Sequence, residues 1–369
     1  MIALSAQVHQ IGLATAFALD EIDMQQIKRI NCNSCEVDFA ELVQQGKPVV
    51  LQGWLEQWPA LAAARSSEQA LIRYLRQFDQ GYEVDTLLMA ADTAGKVGYQ
   101  AGDLAHFNYE RRQYPVWAVL QQLDQHRQQP SAVRIALQSA RLDLCLPGFS
   151  DENPMPAIAK TVVGRIWAGN QTVVPAHFDH AQNLACVLAG RRIFTLFPPE
   201  QISNLYLGPL QHAPTGTPIS LVDITAPDYQ RFPRYRIAEA AGFRAELVAG
   251  DVLFLPALWW HHVQATSDFN LLLNYWWGGS VGTDSQQPSP YAALLHTLLT
   301  LDEVSAAERE HWKKMFDYLV FRQDAEQFSH LPTATPAIQR EFSKQNRQSL
   351  LEWLQEELSL QRQQNTKSD

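Results

Sequence analysis

The stretch "VVPAHFDHAQNLACVLAGRRIFTLFPP", residues 173–199, places a histidine and an aspartate two positions apart within short apolar runs. Its β-branched and aromatic residues favour strands. Residues i and i+2 of a strand point to the same face of the sheet, so His177 and Asp179 can reach one point. A hydrogen-bonded pair inside a core would explain them, and so would two ligands of a metal ion.

The surrounding chain, from about 130 to 280, consists of similar runs, such as "TVVGRIWAG", "DVLFLP" and "FNLLLNYWW". Gly, Pro, Asn and Asp separate these runs, which is typical of an antiparallel sheet system and not of a βαβ repeat. The segment 203–238 is rich in proline and irregular. We expect it to be an insertion that covers the mouth of a pocket.

The pattern changes to helices after residue 280. Ser305 and Glu308 have the spacing of a capping box, and apolar residues follow at helical intervals. The linker "PTATP" (332–336) separates this helix from a last one, predicted over 337–362. The sequence therefore predicts a β domain over 1–280 and a helical region over 281–369.

Charge and composition limit the possible partners. The net charge of −10 repels phosphate backbones, which disfavours a nucleic-acid partner. The N-terminus lacks the basic start and long apolar core of a signal peptide, and no apolar stretch is long enough to span a membrane. We expect a soluble, cytoplasmic protein. Cys32 and Cys35 form a C-x-x-C pair, but no second cysteine pair completes a zinc site.

A third metal ligand is available downstream. The stretch "GDVLFLPALWWHHVQA", residues 250–265, contains His261 and His262 after a strand and a turn. Two histidines and one carboxylate that leave coordination positions open are the facial triad of non-heme Fe(II) oxygenases. Spacing alone leaves both histidines open as the third ligand.

Three stretches carry a resemblance to a known family: "GKPVVLQGWLEQWPAL", "VPAHFDHAQNLACVLAGRRIFTLFPPEQ" and "AGDVLFLPALWWHHVQATSDFNLLLNYWW". In this order they resemble the cupin-like branch of the JmjC oxygenases, which includes the asparaginyl hydroxylase of hypoxia-inducible factor. The resemblance implies a mainly β fold with helical additions, a double-stranded β-helix or jelly roll. It also implies that Fe(II) and 2-oxoglutarate bind, with His177, Asp179 and His261 as the metal ligands.

The resemblance further implies a set of cosubstrate-binding residues. Arg192 stands where the family commonly has a lysine that holds the far carboxylate of 2-oxoglutarate, and a guanidinium can bind a carboxylate in bidentate fashion. Asn183 and Asn274 match two asparagines near the cosubstrate. Val174 and Ala136 stand where the asparaginyl hydroxylase has a threonine and a tyrosine, and neither can donate a hydrogen bond.

Gln138 and Trp276 match substrate-pocket residues of the family, whereas His180 is expected to face away from the site. The C-terminal helices resemble a dimerisation element, so a homodimer is expected.

The expected function is hydroxylation of a protein or peptide side chain, or of a small molecule, with release of succinate and CO2. The departures at Val174 and Ala136 keep an alternative open, a metal-binding cupin that is an isomerase or a sensor of a small acid.

Overall fold

The computed structural model describes residues 24–33, 37–128, 133–155, 158, 160–278, 289–322, 330 and 344–365. The chain forms two compact units, 1–290 and 291–369. The predicted domain boundary at 280 lies in the segment 279–288, outside the described residues.

Within the described residues, sixteen strands form three sheets. The strands are β1 Gln25–Gln26, β2 Lys28–Asn31, β3 Val49–Gln52, β4 Glu83–Met89, β5 Tyr99–Gln100, β6 Asp103–Phe107, β7 Tyr109–Pro115, β8 Arg134–Arg141, β9 Gly164–Gly169, β10 Val173–Phe178, β11 Gln182–Ala189, β12 Arg191–Phe197, β13 Phe243–Val248, β14 Val252–Leu255, β15 Trp260–Ala265 and β16 Asn270–Trp277.

The helices are α1 Phe39–Gln45, α2 Pro59–Ser66, α3 Glu68–Arg76, α4 Val116–Gln128, α5 Leu142–Cys145, α6 Phe149–Glu152, α7 Tyr235–Ala240, α8 Pro290–Thr300, α9 Ala306–Phe316 and α10 Lys344–Asn365. Short 3-10 turns occupy Ala91–Thr93 and Pro199–Asn204, and a π-helical turn, Asp317–Phe321, follows α9. The insertion 203–238 is mostly irregular, as expected, but it includes the start of α7.

The eight strands β9 to β16 are divided between the two larger sheets. One sheet has the order β1-β13-β12-β15-β10, and the other has the order β2-β3-β14-β11-β16-β9-β8-β4-β7. Pairings among β9 to β16 are all antiparallel. Since the chain passes repeatedly from one sheet to the other, this arrangement is a jelly roll, and the predicted fold class is confirmed.

Two apolar cores explain why β11 is hydrophobic from Leu184 to Ala189. Ala185 and Val187 belong to a core between the two sheets, which also contains Phe194 of β12 and Leu253 of β14. The alternate residues of β11 belong to a second core, formed with helices α2, α3 and α4 on the other face of the larger sheet. A strand that is buried on both faces reads as a continuous apolar run.

The second compact unit is helical in its described residues. The Ser305 hydroxyl accepts a hydrogen bond from the backbone N–H of Glu308 at 3.3 Å, so the predicted N-cap of α9 is confirmed. The predicted linker 332–336 lies outside the described residues, and α10 begins at Lys344. Among the helices of the described ranges, we find none long and apolar enough to cross a bilayer.

Candidate metal centre

The register between β10 and β15 brings three candidate ligands together. His177 lies directly opposite His261 in this antiparallel pair, and their ring centroids are 4.1 Å apart. Asp179 immediately follows β10, and its Oδ2 lies 3.6 Å from Nε2 of His261. One potential ligand atom from each residue lies within 4.8 Å of the other two. Two imidazoles and one carboxylate form a donor set that suits non-heme Fe(II).

Backbone carbonyls orient both imidazoles. Nδ1 of His177 lies 2.8 Å from the carbonyl oxygen of Pro175, and Nδ1 of His261 lies 3.1 Å from that of Trp259. A carbonyl can only accept, so each Nδ1 carries the hydrogen and each Nε2 keeps its lone pair for a metal. Burial, with the adjacent His261 as the next cause, lowers the pKa of His177 to about 4. His177 is therefore neutral at physiological pH, as metal coordination requires.

His262 points to the other side of its sheet. It lies opposite Thr195 of β12 and lines a separate cavity of about 450 Å³, together with Lys96 and Asp223. Neighbouring residues of a strand face opposite ways, so only one histidine of this pair can join His177. His180 packs with its ring 5.7 Å from that of Phe178 and is not part of the ligand cluster.

A hydrogen-bond chain holds the candidate carboxylate ligand. Oδ2 of Asp179 accepts from the indole N–H of Trp276 at 3.0 Å and from the amide of Asn183 at 3.4 Å. The carbonyl oxygen of Asn183 accepts in turn from the amide of Asn274 at 2.7 Å. Asn183 and Trp276 lie opposite each other in the pairing of β11 with β16, which explains why both reach the same carboxylate.

A cavity of about 510 Å³ contains the three candidate ligands and Arg192. Arg192 is buried, its Nε has no hydrogen-bond partner, and the salt bridges found among the described residues do not include it. Burial lowers its pKa to about 10, so it remains a cation at neutral pH. An unpaired cation in a cavity with a candidate metal centre is a fitting receptor for the carboxylate of a cosubstrate.

The other predicted pocket residues are placed as follows. Gln138 lines the cavity, and its amide donates to the backbone carbonyl of Ala136 at 3.3 Å. Val174 lines the same cavity, whereas Ala136 packs in a small apolar cluster with Leu87 and Met89. Neither Val174 nor Ala136 supplies a hydrogen-bond donor from its side chain.

Several cavity residues were missed by sequence reasoning. Arg165 and Trp167 alternate on β9 within "GRIWAG", and this period of two was a usable sign that they share a face. Asp85 comes from β4 and Arg111 from the edge strand β7, and no local pattern indicates that they meet the site. Residues 213–216 of the insertion also line the cavity, in agreement with the expected position of that segment.

The fold and the site together define a jelly-roll protein with a His-Asp-His candidate metal centre inside its barrel. The cupin-like domain family matches residues 36–282, which is more than half of the chain. The chain belongs to this family.

Three relatives illustrate the range of named activities. The chain is 29% identical over 265 residues to the Homo sapiens bifunctional peptidase and (3S)-lysyl hydroxylase JMJD7, covering 65% of this chain and 79% of the relative. It is 25% identical over 258 residues to lysine-specific demethylase 8 of Xenopus tropicalis, covering 68% of this chain and 52% of the relative. It is also 34% identical over 101 residues to tRNA wybutosine-synthesizing protein 5 of Gallus gallus, covering 27% and 29%.

Proposed function

We propose that this protein is an Fe(II)- and 2-oxoglutarate-dependent oxygenase that hydroxylates a carbon of a protein or peptide side chain, or of a small molecule. The observation that carries the proposal is the pairing, in one cavity, of the His177, Asp179 and His261 cluster with the unpaired cation of Arg192. A metal site alone would fit many cupins. The added receptor for a carboxylate favours a cosubstrate that is an acid.

Four side chains of this protein would bind the metal and the cosubstrate. His177, Asp179 and His261 would hold Fe(II), and Arg192 would bind the far carboxylate of 2-oxoglutarate. The metal and the cosubstrate would supply the oxidising chemistry, in which 2-oxoglutarate is converted to succinate and CO2. The indole N–H of Trp276 orients the Asp179 carboxylate by a hydrogen bond, a type of contact that tunes metal affinity.

Two further groups complete the pocket. Asn183 and Asn274 would lie beside the cosubstrate, because their hydrogen-bonded pair borders Asp179. Apolar side chains such as Phe194 and Leu272 line the cavity and exclude water from it. Gln138 would contact the substrate.

Names of the relatives support a protein substrate and leave two reaction outcomes. One relative is named as a lysyl hydroxylase and another as a lysine-specific demethylase. We favour hydroxylation, and mass spectrometry of a turned-over substrate separates the two outcomes. A gain of one oxygen atom indicates hydroxylation, and loss of a methyl group indicates demethylation.

The test is to add 2-oxoglutarate to the Fe(II)-loaded protein without oxygen and to record the visible spectrum. A weak metal-to-ligand charge-transfer band in the wild type, absent in His177→Ala, is expected. If the wild type binds iron stoichiometrically and shows no band, the proposal is wrong and a non-oxygenase cupin, such as an isomerase or a small-acid sensor, replaces it. Succinate formation in air is the second readout.

The C-terminal helices are proposed as a homodimerisation element. Large apolar side chains on α9 and the following turn are exposed, among them Trp312, Leu319 and Phe321. Several large apolar side chains exposed along one helix and its extension commonly mark an interface. Sedimentation equilibrium should give a dimer for the wild type and a monomer for the Leu319→Glu, Phe321→Glu double variant. A wild-type monomer at high micromolar concentration would contradict this.

A further inference from the structure

Arg165 lies in the wall of the cavity, one indole ring away from the candidate metal centre. Its guanidinium carbon is 5.8 Å from the ring centroid of Trp276, and the N–H of the same indole donates to Asp179 at 3.0 Å. Arg165 itself projects from β9, the strand next to β16 in the sheet. The guanidinium is therefore close to the space in which a substrate would meet the site.

The hydrogen bonds of Arg165 leave most of its donors free for a ligand. Nη1 donates to the backbone oxygen of Ser139 at 2.9 Å and approaches the Ser139 hydroxyl at 3.4 Å. A guanidinium has five N–H groups, and those on Nε and Nη2 make no hydrogen bond with the described residues. Partial burial lowers the pKa of Arg165, with the neighbouring Arg141 as the next cause, and the Asp143 carboxylate offsets this only in part.

The residue of β8 that positions Arg165 has an unusual backbone conformation. Ser139 has a φ of 42°, in the left-handed region, and it lies where the pairing of β8 with β9 is interrupted between Leu137 and Ala140. Bulges and non-glycine residues in this region recur beside functional sites. Arg165 binds the carbonyl oxygen of this residue, so the bulge fixes the guanidinium at the cavity wall.

Apart from Arg192, which the proposed function assigns to 2-oxoglutarate, the other charged side chains of the cavity wall have partners. Arg111 bonds Asp85 at 2.9 Å, and the same carboxylate also accepts from Gln113. Asp179 is committed to the candidate metal centre. No carboxylate among the described residues lies within 4.0 Å of Arg165. The substrate half of the cavity therefore has one cation in excess.

We infer that the substrate presents a carboxylate to Arg165, so that this residue selects an acidic side chain or a small organic acid. The inference rests on the proposed function, because it names the substrate class of the same site. A guanidinium binds a carboxylate through two parallel hydrogen bonds, which also fixes the orientation of the attached carbon chain.

A site that selects a carboxylate would differ from the sites of the relatives named for lysine. A protonated lysine amine would be repelled by Arg165, and the Asp85 carboxylate that could receive it is already paired with Arg111. Repulsion between like charges lowers the affinity for the wrong partner and so gives the site specificity. We therefore expect glutamate to be preferred over lysine, whatever reaction the site performs.

The experiment compares capped amino acids that differ in one charge: N-acetyl-glutamate amide, N-acetyl-glutamine amide and N-acetyl-lysine amide. Binding is titrated by saturation-transfer NMR with excess 2-oxoglutarate, which occupies Arg192. In wild type, the glutamate probe should bind at least about tenfold more tightly than the glutamine probe, as expected for a charge-assisted hydrogen bond. Arg165→Gln should remove this preference.

Matched variants and probes sharpen the result. Arg112→Gln is the control, because Arg112 is exposed, bonds Glu110 at 2.7 Å and does not line the cavity. It should leave the preference unchanged. Arg165→Glu should reverse it towards the lysine probe. The same residues placed in a glycine-flanked peptide distinguish a protein side chain from a free acid, because a protein-directed site will bind the peptide more tightly.

The binding preference and the anaerobic absorption band test the inference and the proposed function separately. Equal binding of the glutamate and glutamine probes, a preference for lysine, or no binding of any probe to wild type overturns the inference. If the anaerobic absorption band forms but Arg165→Gln keeps the preference, the oxygenase proposal stands and the inference falls. If no band forms and the preference depends on Arg165, the acid-binding site stands and the oxygenase proposal falls.

Discussion

Replacing Arg192 with methionine should stabilise the fold and, at the same time, weaken the response of the protein to 2-oxoglutarate. The guanidinium is buried and its Nε has no partner, so the free protein carries the cost of an uncompensated cation. Burial lowers the pKa of Arg192 from its usual 12.5 to about 10. If the unfolded chain has the usual pKa, this difference means that folding destabilises the charged guanidinium by roughly 3 kcal/mol relative to the neutral form.

The sign of the effect follows from the two protonation states. At pH 7 Arg192 is charged in the folded and the unfolded chain, so its full cost is present. This cost would fall away only as the pH rises above about 10, the folded-state pKa. Methionine fills similar apolar space without a charge. Because some packing of the guanidinium is lost, we expect the free energy of unfolding to rise by about 1–3 kcal/mol.

The assay is urea unfolding at pH 7 with Mn(II) present, with and without 2-oxoglutarate. At a ligand concentration of about 100 times its dissociation constant, the wild type should gain about 2.7 kcal/mol. If loss of the guanidinium weakens binding about thirtyfold, the gain of Arg192→Met falls below about 1 kcal/mol.

A neighbouring residue supplies the control. Arg191 is exposed and paired with Glu246 at 2.7 Å, and exposed ion pairs contribute little. Arg191→Met should change the free energy of unfolding by less than about 0.5 kcal/mol and keep the full gain from 2-oxoglutarate. An Arg192→Met variant that is less stable than wild type by more than about 1 kcal/mol, or that keeps the wild-type gain, would contradict this role of Arg192.

Three further predictions concern single contacts. Trp276→Phe removes the indole donor to the candidate carboxylate ligand and should weaken Co(II) binding about 10- to 100-fold in a chelator competition; unchanged affinity would exclude this role. Gly190→Ala places a Cβ 2.5 Å from the carbonyl oxygen of Phe269, whereas the Cβ of Gly81→Ala meets open space. Gly190→Ala should therefore destabilise the folded protein by about 1–3 kcal/mol more than Gly81→Ala, and equal melting temperatures of the two variants would contradict this. Ser305→Ala should cost about 1 kcal/mol of helix stability and speed amide exchange in the first turn of α9, whereas identical exchange would show that the cap contributes nothing.

Patterns of residues close in the sequence predicted the strands, one helix N-cap and part of the candidate site. Short apolar runs separated by Gly, Pro, Asn and Asp predicted the antiparallel sheets, and the Ser305 and Glu308 spacing predicted the N-cap of α9. The strand period of two also predicted that His177 and Asp179 could reach the same point. Each of these depends on residues that are close in the chain.

Strand register decided the rest. The sequence alone left His261 and His262 open, and only the pairing of His177 with His261 across β10 and β15 shows which one joins the cluster. A shift of one residue would exchange their faces. The meeting of Arg165 with Trp276 likewise depends on the neighbouring strands β9 and β16.

By itself, the sequence determined the strands, the capped helix and the face shared by His177 and Asp179. The reason is that backbone geometry fixes the direction of successive side chains, which repeats about every 3.6 residues in a helix and every two residues in a strand. Only the tertiary structure decided which cations remain unpaired in the cavity. Arg111 pairs with Asp85 across the neighbouring strands β7 and β4, whereas Arg165 and Arg192 find no carboxylate within 4.0 Å among the described residues. That difference depends on contacts between distant segments, which a linear pattern does not encode.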